Sequence, residues 1–252
     1  MNWKSLFILP FFVVSNSMSQ DQELGFGCLG LVGAYAGYGV QEYDAEGLNS
    51  FITGFNQLYG DSLDKPFDEF GSAKGVRFGI NFFRKNYSGL ILTFKGFYQA
   101  LSEKKEASIK SWQGNIKNSL ELKYNHLALG VDVGTTIFEF LDWKVIDAAI
   151  LYTNAKLVSS VSYPGQSTQI TSLKNESPSI GYSFGSGFII HIIENYISLE
   201  GAAGYSNYKI KKMQYEDGSY LSNLQPPGSP VEMLVQNGGF TAIVQINIGF
   251  PL

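Results

Sequence analysis

Histidine is the residue type in this sequence best suited to acid–base chemistry, and it occurs only twice, as His126 and His191. A hydrolytic site needs a nucleophile within reach of a histidine and a carboxylate that orients the ring. Two residues after His126 stands Ala128, where a serine would have supplied a nucleophile on the same strand face. His191 stands among isoleucines beside a turn, and we interpret it as an interfacial residue. We therefore predict no catalytic residue in this chain.

Metal and cofactor sites are not predicted either. Cys28 is the single cysteine, so the chain forms no internal disulfide. Gly25-Phe26-Gly27 precede it, with glycine where a lipoprotein processing site has leucine, and this favours a plain strand residue over a lipid anchor. No Cys/His cluster indicates zinc, and no glycine-rich loop before a helix indicates phosphate binding. The formal net charge of −4 and the pI of about 5.3 give no electrostatic basis for binding nucleic acid.

Five charged residues occupy the polar positions of segments that otherwise alternate with apolar residues: Arg77, Lys95, Asp132, Asp147 and Glu200. If those segments are β-strands, the five side chains share the face opposite the apolar residues. Buried charges are costly unless they are paired or solvated. We therefore predict a structural network of ion pairs inside the protein, with room left by glycines on the same face. The alternative is an ion path lined by these charges.

The elements that must position these residues have the period-two alternation of β-strands. The pattern is clearest at residues 240–250, and it predicts further strands at 75–82, 90–99, 127–134, 180–188 and 197–206. Residues 24–39 and 145–157 complete a set of eight, the latter because Tyr152 and Thr153 favour a strand over a helix. Above Tyr124 the fourth strand slips phase, which indicates a bulge or a change of environment.

The connectors between these strands are alternately short and long. The short ones are residues 84–87, 139–142 and 194–195, and the long ones are 41–72, 101–119, 158–177 and 209–238. Aromatic residues gather near both strand ends, as two membrane interfaces would select. The pattern predicts an all-β fold, an eight-stranded antiparallel transmembrane β-barrel with long extracellular loops and short periplasmic turns. An even strand number places both termini in the periplasm.

Composition and the N-terminus indicate export. Charged residues make up 16% of the 252 residues and aromatic residues 15%, whereas soluble proteins average about 25% charged. Residues 1–19 are predicted to be a signal peptide, with Lys4, an apolar stretch at 6–14 and small residues before the cleavage site. That stretch is too short to span a bilayer as a helix. We predict one barrel domain at residues 20–252, located in the bacterial outer membrane.

Two of the long loops have features of binding surfaces. Residues 41–72 are strongly acidic, with Lys65 the one basic residue, and their apolar residues recur at helical spacing, which predicts an amphipathic helix. Residues 209–238 contain a stiff proline-rich segment suited to docking. The connector at 101–119 is basic. We expect protein partners at loops 41–72 and 209–238, and contacts of the protein with outer-membrane lipid and lipopolysaccharide.

Taken together, the signal peptide, the eight alternating segments, the three short turns and the four long loops resemble the small outer-membrane barrels of the OmpA/OmpX type. The resemblance covers the mature chain and is one of architecture. It implies a terminal aromatic residue recognised by the barrel-assembly machinery; Phe250 matches, displaced by Pro251-Leu252. The peptidoglycan-binding domain of OmpA-like proteins has no counterpart here, so anchoring to the wall is not expected.

The function expected from this pattern is that of a non-enzymatic surface barrel, either a binding or structural protein or an accessory subunit of a larger outer-membrane complex. The first alternative is a narrow solute channel, which needs a wet path past the lumenal charges. The second is a lipid-modifying barrel enzyme, for which Ala128 stands where the deacylases have serine. The third is a soluble lipocalin-like barrel, which would have an apolar interior and a polar exterior.

Overall fold

The structure, a computed structural model, describes residues 33–193, 196–224 and 227–249. Eight long strands dominate it: β1 (Gly33–Asp44), β2 (Ser72–Tyr87), β3 (Leu90–Ile109), β4 (Ile116–Phe138), β5 (Leu141–Ser162), β6 (Ser179–Ile193), β7 (Ile197–Asn207) and β8 (Asn237–Gly249). Helix α1 (Glu46–Tyr59) and a 3-10 turn (Gly60–Ser62) follow β1. The long connections also contain short strands: Leu63–Lys65, Gln169–Asn175, Ile210–Lys211, Met213–Gln214, Ser222–Leu224, Pro227–Pro230 and Met233–Val235. The predicted signal peptide, Cys28, the turn at 194–195 and Phe250 lie outside the described residues.

The eight strands pair antiparallel with their neighbours, and the sheet closes on itself. Ala36 of β1 lies opposite Phe78 of β2 and opposite Ile246 of β8, which joins the first strand to the last. On the other side of the ring β5 pairs with β6, so the chain passes round the barrel in sequence order. A closed sheet leaves no strand edge with unpaired backbone groups. The predicted eight-stranded antiparallel β-barrel is confirmed.

The half of the barrel near the short turns has an apolar outer surface. Leu129, Ile150 and Val244 point outward and are each more than half exposed. Other outward residues extend the band around the barrel: Phe78, Phe94, Leu127, Phe184, Phe188, Ile246 and Ile248. Apolar residues outside and polar residues inside are the arrangement of a transmembrane barrel. None of the described helices is long and apolar enough to cross a membrane.

On the half near the long loops the strands continue, but there the apolar residues point inward and the polar residues point outward. Leu129 of β4 faces outward, whereas Leu122 of the same strand is fully buried in the interior. Residues 90–109 pair with residues 116–135 without a register shift, so β4 contains no bulge against β3 at Tyr124. The phase slip seen in the sequence is therefore a change of environment. The outer face of this part of the sheet carries polar residues, and the residues on its inner face form a hydrophobic core.

The second and third long connectors are mostly strand, so the predicted loops at 101–119 and 158–177 are wrong. β3 ends at Ile109 and β4 begins at Ile116, which leaves only residues 110–115 as a turn. β5 continues to Ser162, and the strand Gln169–Asn175 folds back onto it. The predicted strands were recognised by outward apolar residues. In these extensions the outward residues are polar, so the sequence does not reveal that the strands continue.

The first short turn also lies beyond the predicted position. Residues 84–87 belong to β2, and the turn is formed by Ser88 and Gly89, with φ angles of 54° and 95°. Two positive φ angles in a two-residue hairpin define a turn whose twist matches the strands, and glycine adopts them without strain. The second short turn, Glu139–Phe140, lies within the predicted residues 139–142.

The long-loop end is closed by a folded layer that contains the helix predicted in the first loop. Leu48 and Ile52 of α1 are fully buried. The helix packs closely on the strand Met233–Val235, since a Cβ atom at Gly47 would lie 1.9 Å from the carbonyl oxygen of Met233. Further buried apolar residues fill the layer beneath: Leu101, Leu120, Leu122, Leu157, Leu173, Ile210 and Met213. The interior is therefore packed at this end.

Candidate functional site

Charged side chains meet in one network that crosses the lumen, which we call the lumenal network. Lys95 Nζ lies 2.7 Å from Asp132 and 2.7 Å from Asp147. Lys144 Nζ lies 3.0 Å from Asp132 and donates a hydrogen bond to Glu200. Four of these side chains are at most 8% exposed, and Asp147 is 15% exposed. The network is dehydrated and its charges are paired, so it fills the lumen in the manner of a buried ion-pair cluster.

Small and polar neighbours make room for this network. A Cβ atom at Gly130 would lie 3.1 Å from Cε of Lys95, so glycine lets the lysine side chain pass across β4. The second carboxylate oxygen of Glu200 accepts hydrogen bonds from the amides of Gln245 and Asn247, each at 3.1 Å. Buried polar atoms are rarely left without partners. The surroundings of Glu200 therefore suit an ionised carboxylate.

Arg77 points into the lumen as predicted, but it pairs with an amide. Its Nε and Nη2 donate to Oε1 of Gln99 at 3.1 and 2.7 Å, and its guanidinium lies 4.2 Å from the centre of the Phe97 ring. Arg77 and Asp147 both line a cavity of about 30 Å³, which has room for a water molecule. Of the five predicted residues, Lys95, Asp132, Asp147 and Glu200 are thus linked directly or through Lys144.

Lys144 was not predicted, although it joins three of the acids. The pairing of β5 with β6 shifts register between Lys144 and Asp147, and the two residues between them, Val145 and Ile146, both face outward. Strict alternation that turns Asp147 inward would turn Lys144 outward. Two adjacent β-branched residues between two charged ones were the signal available in the sequence for this bulge.

A second charged cluster lies nearer the short-turn end. Asp142 accepts hydrogen bonds from Arg84 Nη2 at 2.9 Å and from Thr136 Oγ1 at 2.8 Å. His191 Nε2 also lies 2.9 Å from Asp142, so this histidine faces the inside of the barrel and is not only an interfacial residue. The hydroxyl of Thr136 donates to the carboxylate and not to the imidazole. These contacts resemble a structural ion cluster more than a nucleophile–base pair.

His126 lies in an aromatic layer between the lumenal network and the hydrophobic core. Its Nδ1 is 2.8 Å from Oγ1 of Thr153, and its ring centre lies 4.7 Å from Tyr208 and 5.4 Å from Tyr124. The side chain is 2% exposed. Among the described residues, the groups within contact of His126 include no carboxylate, and no group of three potential metal ligands occurs.

Glu103 ties the first loop to the barrel rim. Its Oε2 accepts hydrogen bonds from the hydroxyl of Tyr43 at 2.7 Å and from the backbone amides of Gly71 at 3.0 Å and Ser72 at 2.7 Å. Lys105 contacts the other oxygen at 3.0 Å. Burial, together with the hydrogen bond to Glu103, raises the pKa of Tyr43, so the hydroxyl keeps its proton and remains a donor.

Among the described residues, the most exposed aromatic side chain lies at the tip of the β3–β4 hairpin. Trp112 is 90% exposed, and sequence reasoning did not single it out because it stands alone in a polar turn. The hairpin is braced, since Asp64 accepts hydrogen bonds from Asn115 at 2.8 Å and from Ser108 at 3.1 Å. The neighbouring tip at 163–168 adjoins it and presents Tyr163, which is 38% exposed. We call residues 110–115 and 163–168 the hairpin tips.

Comparison with known proteins gives matches to solved structures, whereas no family model and no curated protein matches the chain. One match is Ail, the attachment invasion locus protein of Yersinia pestis, with 9% identity, a TM-score of 0.38, and coverage of 87% of this chain and 98% of that one. Another is the outer membrane protease OmpT from Escherichia coli, with 10% identity, a TM-score of 0.39, and coverage of 87% and 94%. The attachment and proteolysis named for those two proteins are their own properties.

Proposed function

We propose that this protein is a non-enzymatic barrel of the bacterial outer membrane whose hairpin tips bind another molecule at the cell surface. The observation that carries the proposal is Trp112, which is 90% exposed at the end of a braced hairpin. Tryptophan and tyrosine are the residues on which interface energy most often concentrates, and a large exposed aromatic has a hydration cost that binding removes. In this proposal the end of the barrel with the hairpin tips faces outward and both termini face the periplasm.

The length of the strands supports a role for the tips. β4 has 23 residues, about twice the 9–11 residues with which a strand crosses a bilayer. The additional residues form a hydrogen-bonded sheet with β3, β5 and Gln169–Asn175. A rigid support lowers the entropy lost when the tip residues bind a partner.

The interior favours binding over conduction or catalysis. A channel needs a continuous wet path, whereas the lumenal network is dehydrated and a packed hydrophobic layer lies beyond it. A hydrolytic barrel needs a nucleophile hydrogen-bonded to a histidine that is itself hydrogen-bonded to a carboxylate. Neither histidine has this arrangement among its described contacts. The apolar outer band opposes a soluble lipocalin-like barrel.

A second candidate is an accessory subunit of a larger outer-membrane complex. A groove of about 900 Å³ runs along the apolar outer surface, where Ala34, Ala36 and Gly96 leave space between larger side chains. Such a groove suits another apolar surface within the membrane. In this case the partner contacts the outside of β1, β2 and β3, and the hairpin tips are not required.

One experiment separates these candidates. Tagged wild-type protein, a Trp112→Ala/Tyr163→Ala variant and a Tyr87→Ala control are extracted gently from native outer membranes. Their mass and co-purifying chains are measured, and the purified barrels are tested on arrays of surface proteins and glycans. We expect a ligand or chain that the tip variant loses and the control keeps, because Tyr87 is exposed at the opposite end.

Other outcomes count against the tips. A stoichiometric partner that survives in the tip variant supports the accessory subunit and overturns the proposed role of Trp112. A lone species that binds nothing on the arrays overturns both candidates.

A further inference from the structure

Three lysines lie side by side on the outer face of the extended sheet. Lys123 of β4 is directly opposite Lys156 of β5, and Lys156 is directly opposite Lys174 of the strand Gln169–Asn175. Residues opposite one another on neighbouring strands have Cβ atoms about 5 Å apart. We call these three residues the lysine row.

Strand alternation fixes the direction of all three side chains. Leu122, Leu157 and Leu173, each adjacent in sequence to one of the lysines, are fully or almost fully buried in the interior. Since successive residues of a strand point to opposite faces, the lysines point away from the barrel. All three are exposed.

The positive charge of the row is only partly balanced. Lys123 contacts Glu121 at 3.1 Å, but among the described residues Lys156 and Lys174 have no carboxylate within 4.0 Å. Glu176, just after the end of the strand Gln169–Asn175, accepts a hydrogen bond from the hydroxyl of Tyr220 at 3.1 Å. Like charges placed directly opposite one another destabilise a sheet. A row of this kind is therefore favourable where an external anion lies against it.

The row also has a definite height above the apolar band. Tyr152, an outward aromatic residue at the end of that band, precedes Lys156 by four residues. Four residues span about 13 Å along the strand. Because the strands are tilted, this places Lys156 about 10 Å above Tyr152 along the membrane normal. The headgroup layer of a bilayer is about 5–8 Å thick on each side, and lysine side chains bend toward it while their stems cover apolar surface. The lysine ammonium groups can thus reach the outer part of this layer.

Amide groups occupy the interval between the aromatic residues and the lysines. Asn125 lies directly opposite Asn154, one alternation step below Lys123 and Lys156 on the same outer face. Ammonium and amide donors on one surface match the acceptor oxygens of phosphate and sugar groups.

We propose that the lysine row is a binding surface for the phosphate groups of lipopolysaccharide in the outer leaflet. Lys123, Lys156 and Lys174 contact the phosphates, and Asn125 and Asn154 contact the sugars beneath them. This inference rests on the proposed orientation of the barrel, but it uses a different surface of the protein from the hairpin tips.

The test is a titration of the full-length barrel, in a maltoside detergent without phosphate, with lipopolysaccharide that carries both lipid A phosphates. A Lys156→Gln/Lys174→Gln variant is compared with a Lys117→Gln/Lys211→Gln control, which removes the same charge from exposed positions outside the lysine row and the hairpin tips. We expect the dissociation constant to rise about thirtyfold in the first variant, because two lysines are removed and each lysine near an anionic lipid surface contributes about 1 kcal/mol. In the control the dissociation constant should stay within about twofold of the wild-type value. Mobility in cold detergent gels verifies that each barrel is folded.

Several results would overturn the proposal. An equal loss in both variants would mean that only net charge is sensed. Unchanged affinity in the Lys156→Gln/Lys174→Gln variant would remove the row from the binding surface. Equal binding of dephosphorylated lipopolysaccharide, or competition by inorganic phosphate at the concentration of the lipid, would exclude a lipid phosphate as the ligand.

Discussion

Leu122 and Leu129 lie on the same continuous strand, yet Leu122 is fully buried inside the barrel and Leu129 is 67% exposed on its outside. Their positions along β4 differ by seven, an odd number, so the strand turns them to opposite faces. The side of the sheet that is apolar therefore changes between them. This pair marks the level at which the barrel passes from its apolar outer band to a region with an ordinary hydrophobic core.

Replacement of each leucine by alanine should separate the two environments. We expect Leu122→Ala to lower the free energy of unfolding by about 2–4 kcal/mol, because it leaves a cavity in a packed interior. Leu129→Ala should cost about 1 kcal/mol or less, because lipid or detergent fills the space. Urea unfolding of the barrel in vesicles, followed by gel mobility, measures both, and equal losses would contradict the inversion.

The lumenal network should be sensitive to the loss of one member. Lys144→Met leaves Asp132 and Glu200 buried without this cation, and we expect a loss of about 3–5 kcal/mol of stability. The control is Lys104→Met, since Lys104 and Glu106 form an ion pair of 2.6 Å that is about half exposed. Exposed pairs contribute little, so the control should unfold at the wild-type urea concentration. Similar midpoints for both variants would show that the network is not dehydrated.

A filled lumen should not conduct. In planar bilayers at neutral pH, we expect the purified wild-type barrel to produce no current steps, because the lumenal network and the packed layer above it leave no continuous water path. Steady steps whose amplitude changes on Glu200→Gln substitution would instead support the channel alternative. A known small porin, reconstituted in parallel, verifies that inserted barrels would be detected.

Glu103 should control the attachment of the first loop. Glu103→Gln removes the charge that accepts three hydrogen bonds, whereas Tyr43→Phe removes one donor and leaves the two backbone amides in place. We expect a protease specific for glutamate to cleave after Glu69 much faster in Glu103→Gln than in the wild type, with Tyr43→Phe between them. Cleavage of Glu103→Gln at the wild-type rate would mean that α1 alone holds the loop.

The sequence predicted the strands best where their outer residues are apolar. Leu127, Leu129 and Val131 reveal β4, but residues 116–119 of this strand were predicted as part of the loop at 101–119, and the phase slip above Tyr124 was interpreted as a bulge or a change of environment. There the outward residues include Lys117 and Lys123, and the apolar residues have moved to the other face. Alternation alone does not say which face is inside, so the sequence does not distinguish a change of environment from a bulge at this level.

Strict alternation also limits what the sequence predicts about the lumenal network. Lys95, Asp132 and Glu200 lie on regular strands, and counting by two placed them inside. Lys144 lies next to a bulge, where counting by two fails. Trp112 was missed for a different reason, since exposure at a turn leaves no periodic signal in the residues around it.

Two of the ion pairs of the lumen connect strands that are not neighbours in the sheet. Lys95 of β3 reaches Asp147 of β5, and Lys144 of β5 reaches Glu200 of β7. In a flat sheet these positions are two strand spacings apart, about 10 Å, and their charges face water until the curvature of the closing barrel brings the side chains together. Closure of the ring and burial of the charges are then a single step in assembly. A chain that has paired all its strands but not yet curled would still be held at the wet face of the membrane by lysines and carboxylates that are exposed to water.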